Sequence, residues 1–562
     1  MSVKDMFDVV VAGKAIGMKS DYTDRVSQMG AAGQHESNLE RDFLRYARSN
    51  LGVEFRLYET SCITRRPGVP TKTLNIPVLL PHEMAHLLWH QNQAGFYKLF
   101  QPDRIRRFWE CAIAAAEPWF AEHPLNGEIT ASTGRSKYLP IHLFGDDGCL
   151  KKSRVMGTIT WFPATYTELE ALESRIPCYL IPQHMSLKDI TEVELQRVIS
   201  WSFTIWLSGR CPSLDHLQSP FPNSSFRAKL AGTEIAGGHI GVYVSTIADA
   251  LWMSQHYRFA QSWGTLDICN KCFARNDSGV HNFAKCVDFP ERLHSSYMAS
   301  PAAAASPLAQ IPGYHISMNR GEPMHVGPLG VMPDVAGSAL QELCIENVFG
   351  GGELSPWEFR FQTQLNIAYD RFVVWCKQNR QCHTIKRFGR HGFCMTRLHG
   401  VFPYYKGKAH NCLVLCRWLE IICAEHTDTP QRALRAQVLF AWVDVFQLCF
   451  EAPDPDFLTD DELKRLDQDV RLLMHGHRVL SNFHAAHCIA RWNLRPKIHS
   501  MDHINKEAQL SRRNPRAWFS FKEEEMMGKL ARIACAVHAV SLCARSLERW
   551  CLQFFCAMEG ES

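Results

Sequence analysis

The pattern of apolar and polar positions divides the chain into a strand-rich stretch and a longer helical one. From Tyr138 to Pro163 the sequence reads YLPIHLFGDDGCLKKSRVMGTITWFP. It predicts a buried strand over Leu139–Phe144, a turn at Gly145-Asp146-Asp147-Gly148 and a second strand over Val155–Phe162. Both runs are rich in β-branched and aromatic residues, and Asp-Gly between two such runs is a hairpin signal. PCYLIP (177–182) follows as a short strand, and TEVELQRVISWSFTIWL (191–207) as a helix with acids in its first turn, where the helix dipole favours them. GHIGVYVSTIAD (238–249) is an apolar strand ending on an acid. Beyond it the period is mostly helical: 358–377, 412–424, 431–449 and 460–485, with EAPDPDF breaking the last two, and then 522–542. Upstream, 1–40 is weakly patterned, while 39–51 and 105–120 read as amphipathic helices. ASPAAAASPLAQI (299–311) has the composition of a linker.

Composition narrows the class. A chain of 562 residues with 46% hydrophobic and 21% charged residues is globular rather than disordered, and long enough for several domain-sized units. With 61 Lys+Arg against 57 Asp+Glu the net charge is only +4, so a nucleic-acid partner has to be argued from local charge. The 21 cysteines are scattered, many inside helical patterns, as small apolar residues of a reduced protein rather than a disulfide scaffold. The first residues lack the charged start and apolar run of a signal peptide, and no apolar run is read as a membrane span. The expected compartment is nucleus or cytosol.

Three groups carry candidate chemistry. Asp147 and Asp249 fall at strand ends, where ligand and metal groups of α/β sheets gather, and carboxylates are the hard oxygen donors that Mg²⁺ prefers. Asp146 is the alternative to Asp147, or braces the turn. Cys269-Asn-Lys-Cys272 is a metal-knuckle spacing that needs two more ligands, with His281 and Cys286 as a local completion. His82-Glu83-Met84-Ala85-His86 matches the HExxH zinc-hydrolase pattern, with Glu110 as a third ligand. Trp89 and Asn92 stand where the extended form of that motif needs Gly and His, and Pro81 equally suits a plain helix start.

Taken in order, the motifs resemble the catalytic domain of DDE transposases of the CACTA and related types. The residues that carry this are Asp147-Gly148, STIAD ending at Asp249, Cys269 and Cys272, Glu322-Pro-Met-His325 running into VGPLGV, and PKIHSMDH followed by FKEEEMMGKL with Glu524. The resemblance spans about residues 138–562. It departs from the family at Glu322, where Asp is usual. It implies an α/β fold: an RNase H-like mixed sheet with flanking helices, interrupted by a large all-α insertion. It also implies DNA strand cleavage and transfer by Asp147, Asp249 and Glu524 holding Mg²⁺ or Mn²⁺, and a structural Zn²⁺ on Cys269 and Cys272 completed by Glu322 and His325. Glu524 sits among Glu523 and Glu525, a run that would also suit a solvated acidic face.

The expected organisation is an accessory region (1–135), the first part of the core (136–275), a knuckle-partner segment and helical insertion (276–495), and the C-terminal part of the core (496–562). Within the insertion, 377–412 carries Lys377, Arg380, Lys386, Arg387, Arg390, Arg397, Lys406 and Lys408 with no Asp or Glu. Phe388, Phe393, Phe402, Tyr404 and Tyr405 are interleaved with them. Cations neutralise phosphates and aromatic rings stack on bases, so this stretch is the expected surface for double-stranded DNA. A second basic segment, 491–516, includes Arg512 and Arg513 and precedes Glu524. The expected partners are DNA and a second copy of the chain, without a membrane. An inactive, host-retained DNA- or protein-binding descendant is the first alternative, the HExxH hydrolase the second and an unrelated α/β protein the third. The lack of an obvious N-terminal DNA-binding zinc finger favours the first of these.

Overall fold

The computed structural model describes residues 55–559 apart from 67–68, 152–153 and 352–355, together with isolated positions before residue 55. The helix expected over 39–51 lies outside the described residues. Strands β1 (Tyr58–Arg66) and β2 (Val69–Val78) pair as an antiparallel ribbon. A second, six-stranded sheet comprises β3 (Tyr138–Lys151), β4 (Arg154–Pro163), β5 (Ile176–Pro177), β6 (Ile181–Pro182), β7 (Ile240–Ala248) and β8 (Asn319–Gly321). Its order is β5-β4-β3-β7-β8, with β6 also on β4. β4 runs antiparallel to β3, while β7 and β8 run parallel to it. The fold class is thus mixed α/β, a mixed sheet with flanking helices followed by a mostly helical C-terminal half.

Burial explains the two central strands. Every residue of β7 after Ile240 is buried, and Leu139, Ile141, Leu143 and Phe144 of β3 are sealed, as expected of strands covered on both faces. The Gly-Asp-Asp-Gly segment is not the turn. β3 continues through it, with Asp146 opposite Thr158 and Asp147 opposite Gly157, and its pairing with β4 runs on to Lys151 opposite Arg154. The glycines serve close approach instead. A Cβ at Gly145 would lie 1.9 Å from the Trp252 ring, and one at Gly148 would lie 2.5 Å from the end of Met527. Successive strand residues face opposite sides, so Asp146 shares the Met527 side and Asp147 the Trp252 side.

Thirteen of the described helices frame the sheet and its sites. They are α1 (Pro81–Gln91), α2 (Pro102–Ala115), α3 (Val193–Ser208), α4 (Ala250–Tyr257), α5 (Pro323–Val326), α6 (Met332–Ile345) and α7 (Trp357–Gln378). After these come α8 (Ala409–Ala424), α9 (Pro430–Glu451), α10 (Asp460–Ala486), α11 (Ile498–Ser511), α12 (Phe521–Cys535) and α13 (Leu542–Glu559). α3 packs on β7, where a Cβ at Gly241 would meet the Trp206 ring at 2.2 Å. α12 packs on β3. α6–α10 lie between β8 and α11, and α10 begins where Thr459 caps it reciprocally with Glu462. Among the described residues, α9 alone is long and apolar enough to cross a membrane, and 61% of its most apolar window is buried in the protein.

Two boundaries move. β8, at 319–321, belongs to the sheet although it falls beyond residue 275. The alanine- and proline-rich 299–311 is not a loose linker: Ala303, Leu308, Ala309 and Ile311 are buried. Small residues there allow close packing that composition alone reads as flexibility.

Candidate metal centres

β3 and β7 are parallel neighbours whose pairing stops at Gly145 beside Ala248, so Asp146, still within β3, and Asp249, just past the end of β7, follow side by side. Asp249 caps α4, its Oδ1 accepting the Trp252 amide at 2.6 Å. Glu524, in the first turn of α12, is brought to the same side. Asp146 feels the charge of Asp249, and Glu524 that of Asp146. Burial, then the charges of Asp249 and Asp147, push the Asp146 carboxyl up to about 6, against the pull of an amide hydrogen bond and His325. Burial and the Asp146 charge push Glu524 up to about 7, opposed by His325. Asp147 points elsewhere, accepting a hydrogen bond from Gln183 Nε2 at 2.8 Å. The member that faces Asp249 and Glu524 is therefore Asp146, because continued pairing of β3 puts Asp147 on the opposite face.

Glu322 and His325 stand behind Glu524. The Glu322 carboxylate accepts from the amides of Met324 (2.9 Å), His325 (2.6 Å) and Ser520 (2.8 Å), and bonds His325 Nδ1 at 2.7 Å. The other ring nitrogen of His325 lies 3.9 Å from Glu524 Oε1. Burial lowers the proton affinity of this imidazole, but the Glu322 hydrogen bond and the charges of Glu322, Glu524 and Asp249 raise it above the ordinary value. Lys497, held down by burial, lies in the fields of Asp249 and Glu322 and donates to the His325 carbonyl at 3.3 Å.

Neither Glu322 nor His325 joins the cysteine knuckle. Cys269 and Cys272 meet His499 and His503 of α11, all four buried and with ligand atoms within 4.8 Å of one another. Cys269 Sγ is 3.3 Å from His503 Nε2, and Cys272 Sγ is 3.2 Å from His499 Nε2 and 3.4 Å from His503 Nε2. Bond lengths of ~2.3 Å to sulfur and ~2.0–2.1 Å to nitrogen make the S–N edge of a zinc tetrahedron about 3.5 Å. Donor set and spacing both fit, so this group could hold a structural zinc ion. Arg292 ties the knuckle backbone, donating from Nε to the carbonyls of Cys269 (3.2 Å) and Cys272 (3.1 Å). Of the other candidate ligands, Cys286 bonds Asp502 at 3.5 Å and His281 packs on Phe289. Among the described residues no set of three carboxylates is drawn together in the same way. Asp249 and the cysteine–histidine group, through Cys269, His499 and His503, line one cleft of about 130 Å³, together with Glu322, His325 and Lys497.

The HExxH segment does form a helix, α1, beside a larger cavity of about 750 Å³. His82 is buried against Ser202 Oγ at 2.7 Å, and Glu83 is gripped by Arg227 at 2.5 and 2.9 Å. His86 Nδ1 accepts from the Ala236 amide at 3.3 Å, and Glu110 lies exposed on α2. No three-ligand group containing His82 and His86 exists among the described residues.

The basic stretch of the insertion divides. Lys386, Arg387, Arg397, Lys406 and Lys408 are exposed. Arg390 lies over the Trp357 ring at 5.5 Å. The interleaved rings do not form a stacking platform: Phe388, Phe393 and Tyr405 are buried and Tyr404 sits under Arg495, which leaves Phe402 exposed. Arg512 is exposed and paired with Asp460 at 2.7 Å. Arg513 is buried, bound to the Ala164 carbonyl and 3.7 Å from Asp456, and so is no part of a surface.

No protein-family model matches this chain, and no curated protein does. The site therefore has to be argued from its own residues. Sequence reading missed three of them. His499 and His503 stand four apart, which places both rings on one helix face. Lys497 precedes them in the same run.

Proposed function

We propose that this chain is a metal-dependent enzyme that cleaves and joins DNA strands, of the DDE transposase type on an RNase H-like fold. The observation that carries the reading is the convergence of Asp146, within β3, and Asp249, just past the end of its parallel neighbour β7, with Glu524 on a helix packed against β3, each of Asp146 and Glu524 pushed up partly by another acid. The strand order, a three-stranded antiparallel half followed by two parallel strands, supports the fold reading. Three carboxylates, two of them with raised proton affinity, are oxygen donors that suit Mg²⁺ or Mn²⁺. A divalent ion there supplies the Lewis acid that phosphodiester cleavage needs.

The chain's own residues do the rest. Asp146, Asp249 and Glu524 present carboxylates to one point. Glu322, fixed by three amides, holds His325, whose other ring nitrogen faces Glu524 at 3.9 Å and favours its charged form. Lys497 offers a cation beside Asp249, where a substrate phosphate opposite the acids would be met. The exposed cations Lys386, Arg387, Arg397, Lys406 and Lys408 suit a DNA backbone. A DNA substrate makes the nucleus the expected compartment.

The test is nicking and joining of DNA by the full, zinc-loaded chain in Mg²⁺ or Mn²⁺. Asp249→Asn should bring cutting to background and leave DNA affinity intact or higher, since a negative charge facing phosphate is gone. Neutralising Lys386, Arg387 and Arg390 together should weaken binding to all sequences alike. It should also flatten the salt dependence by up to ~0.9 for each phosphate no longer neutralised. Wild-type protein that binds DNA with a steep salt slope yet never cuts in either metal would leave an inactive, host-retained binder. A peptidase activity removed by Glu83→Gln would overturn the assignment.

A further inference from the structure

Behind the first turn of α12 lies a hollow that neither metal centre uses. Tyr166, in the loop after β4, carries three cations over its ring: Arg516 at 4.9 Å, Arg104 at 5.4 Å and Lys522 at 5.5 Å from the centroid. Facing it is a ring cluster, Phe450 to Phe519 at 5.0 Å and Phe450 to Phe521 at 5.9 Å. The space between is about 230 Å³. It adjoins a second hollow of about 360 Å³ that shares Phe450 and Phe521 and is bordered by His410 and Arg417.

The charge in this groove is one-sided. Its acid, Asp456, is already engaged by Arg104 (2.8 Å) and by the Tyr166 amide (2.7 Å). Arg516 donates to the Phe450 carbonyl at 3.1 Å, and Lys522 to the carbonyls of Thr167 (2.9 Å) and Leu169 (2.8 Å), so neither is neutralised by a carboxylate hydrogen bond. Cations held beside half-buried rings, as here at Tyr166 and Phe521, are the equipment of single-strand binding, because an unpaired base offers its π-face and a paired one does not. Phe521 and Lys522 also immediately precede Glu523 and Glu524 in sequence, so a strand here would lie next to the acid cluster.

We propose that this groove binds unpaired DNA nucleotides, with a base packed on Phe521 and phosphates met by Arg516 and Lys522, the cations that Tyr166 holds over its ring. The inference rests on nucleic acid being the substrate of the acid cluster, but not on that cluster's catalysis.

The test is fluorescence anisotropy of a labelled oligo-dT strand with the full, zinc-loaded chain and no added magnesium. Tyr166→Leu, Arg516→Gln and Phe521→Leu are each compared with wild type after a melting scan. Phe521 is half-buried, so its variant is the control should Tyr166→Leu fail to fold. Each folded variant should lose about tenfold in oligo-dT affinity, with duplex affinity unchanged. Oligo-dT affinity equal to wild type in the folded variants would overturn the proposal. Equal losses for duplex, tighter competition by oligo-U, or equal competition by a poly-glutamate peptide would overturn it too. Asp249→Asn separates the two claims. If it cuts nothing, as wild type cuts nothing, while oligo-dT still binds through Tyr166, only the catalytic reading fails. If wild type cuts through Asp249 and Tyr166→Leu binds normally, only the groove fails.

Discussion

The two metal-directed groups meet at one cleft, lined by Asp249 and by Cys269, and are built on opposite principles. The Cys269–Cys272–His499–His503 centre is buried and drawn together, with sulfur and nitrogen already near tetrahedral edges and the knuckle backbone tied by Arg292. The Asp146–Asp249–Glu524 group is not drawn together in that way, and burial and neighbouring acids raise the proton affinity of Asp146 and of Glu524. A fold can preassemble donors that are neutral or share a proton. Carboxylates pressed together must instead hold on to a proton or take up a cation that offsets their repulsion. The first centre is therefore expected to act on stability and the second on ligand binding.

The largest effect that would break this contrast is loss of the sulfur–nitrogen centre. Cys272→Ser, or chelation of zinc, should destabilise the protein by at least about 3 kcal/mol, read as a lower denaturation midpoint together with zinc content. An unchanged midpoint in metal-free protein would mean the centre is not structural. Arg292→Ala should lower zinc affinity by about ten- to a hundredfold by freeing the knuckle carbonyls, measured by competition with a chelating dye. No change would show that the cysteine geometry holds without it.

The acids should respond to pH in the opposite sense from ordinary surface carboxylates. Folding raises Asp146 from 3.8 to about 6 and Glu524 from 4.5 to about 7, so the folded chain holds more protons than the unfolded one across that window. This contribution favours the folded state at low pH and is lost as pH rises through the window. A divalent ion should restore it. Added Mg²⁺ should raise the melting temperature by about 3 °C near pH ~8 and by clearly less near pH ~5. An equal shift at both would dissociate the acids from the metal.

The contrast also marks what the sequence could and could not convey. The sheet was legible because β7 is an unbroken apolar run and β3 is β-branched and aromatic. The long helices of the insertion followed from apolar period. The Asp146–Asp147 phase was not legible, since Gly-Asp-Asp-Gly suits a turn as well as a strand. Only the approach of Trp252 and Met527 shows why glycines flank the acids. The cysteine pair was visible by spacing, but its partners lie more than two hundred residues away in α11, and the nearer Glu322-x-x-His325 offered a false completion. Buried Phe388, Phe393 and Tyr405 show the same limit, because alternation of rings and cations does not reveal which rings face inward.

The central claim is that Asp146, and not its neighbour, joins Asp249 and Glu524 in holding a divalent ion. Mn²⁺ binding to the zinc-loaded chain, followed by the paramagnetic resonance of free Mn²⁺, tests it directly in Asp146→Asn and Asp147→Asn. The account predicts that Asp146→Asn loses the site, as Asp249→Asn does, while Asp147→Asn binds Mn²⁺ like wild type. Loss in Asp147→Asn with binding kept in Asp146→Asn, or no Mn²⁺ bound by wild type, would contradict it.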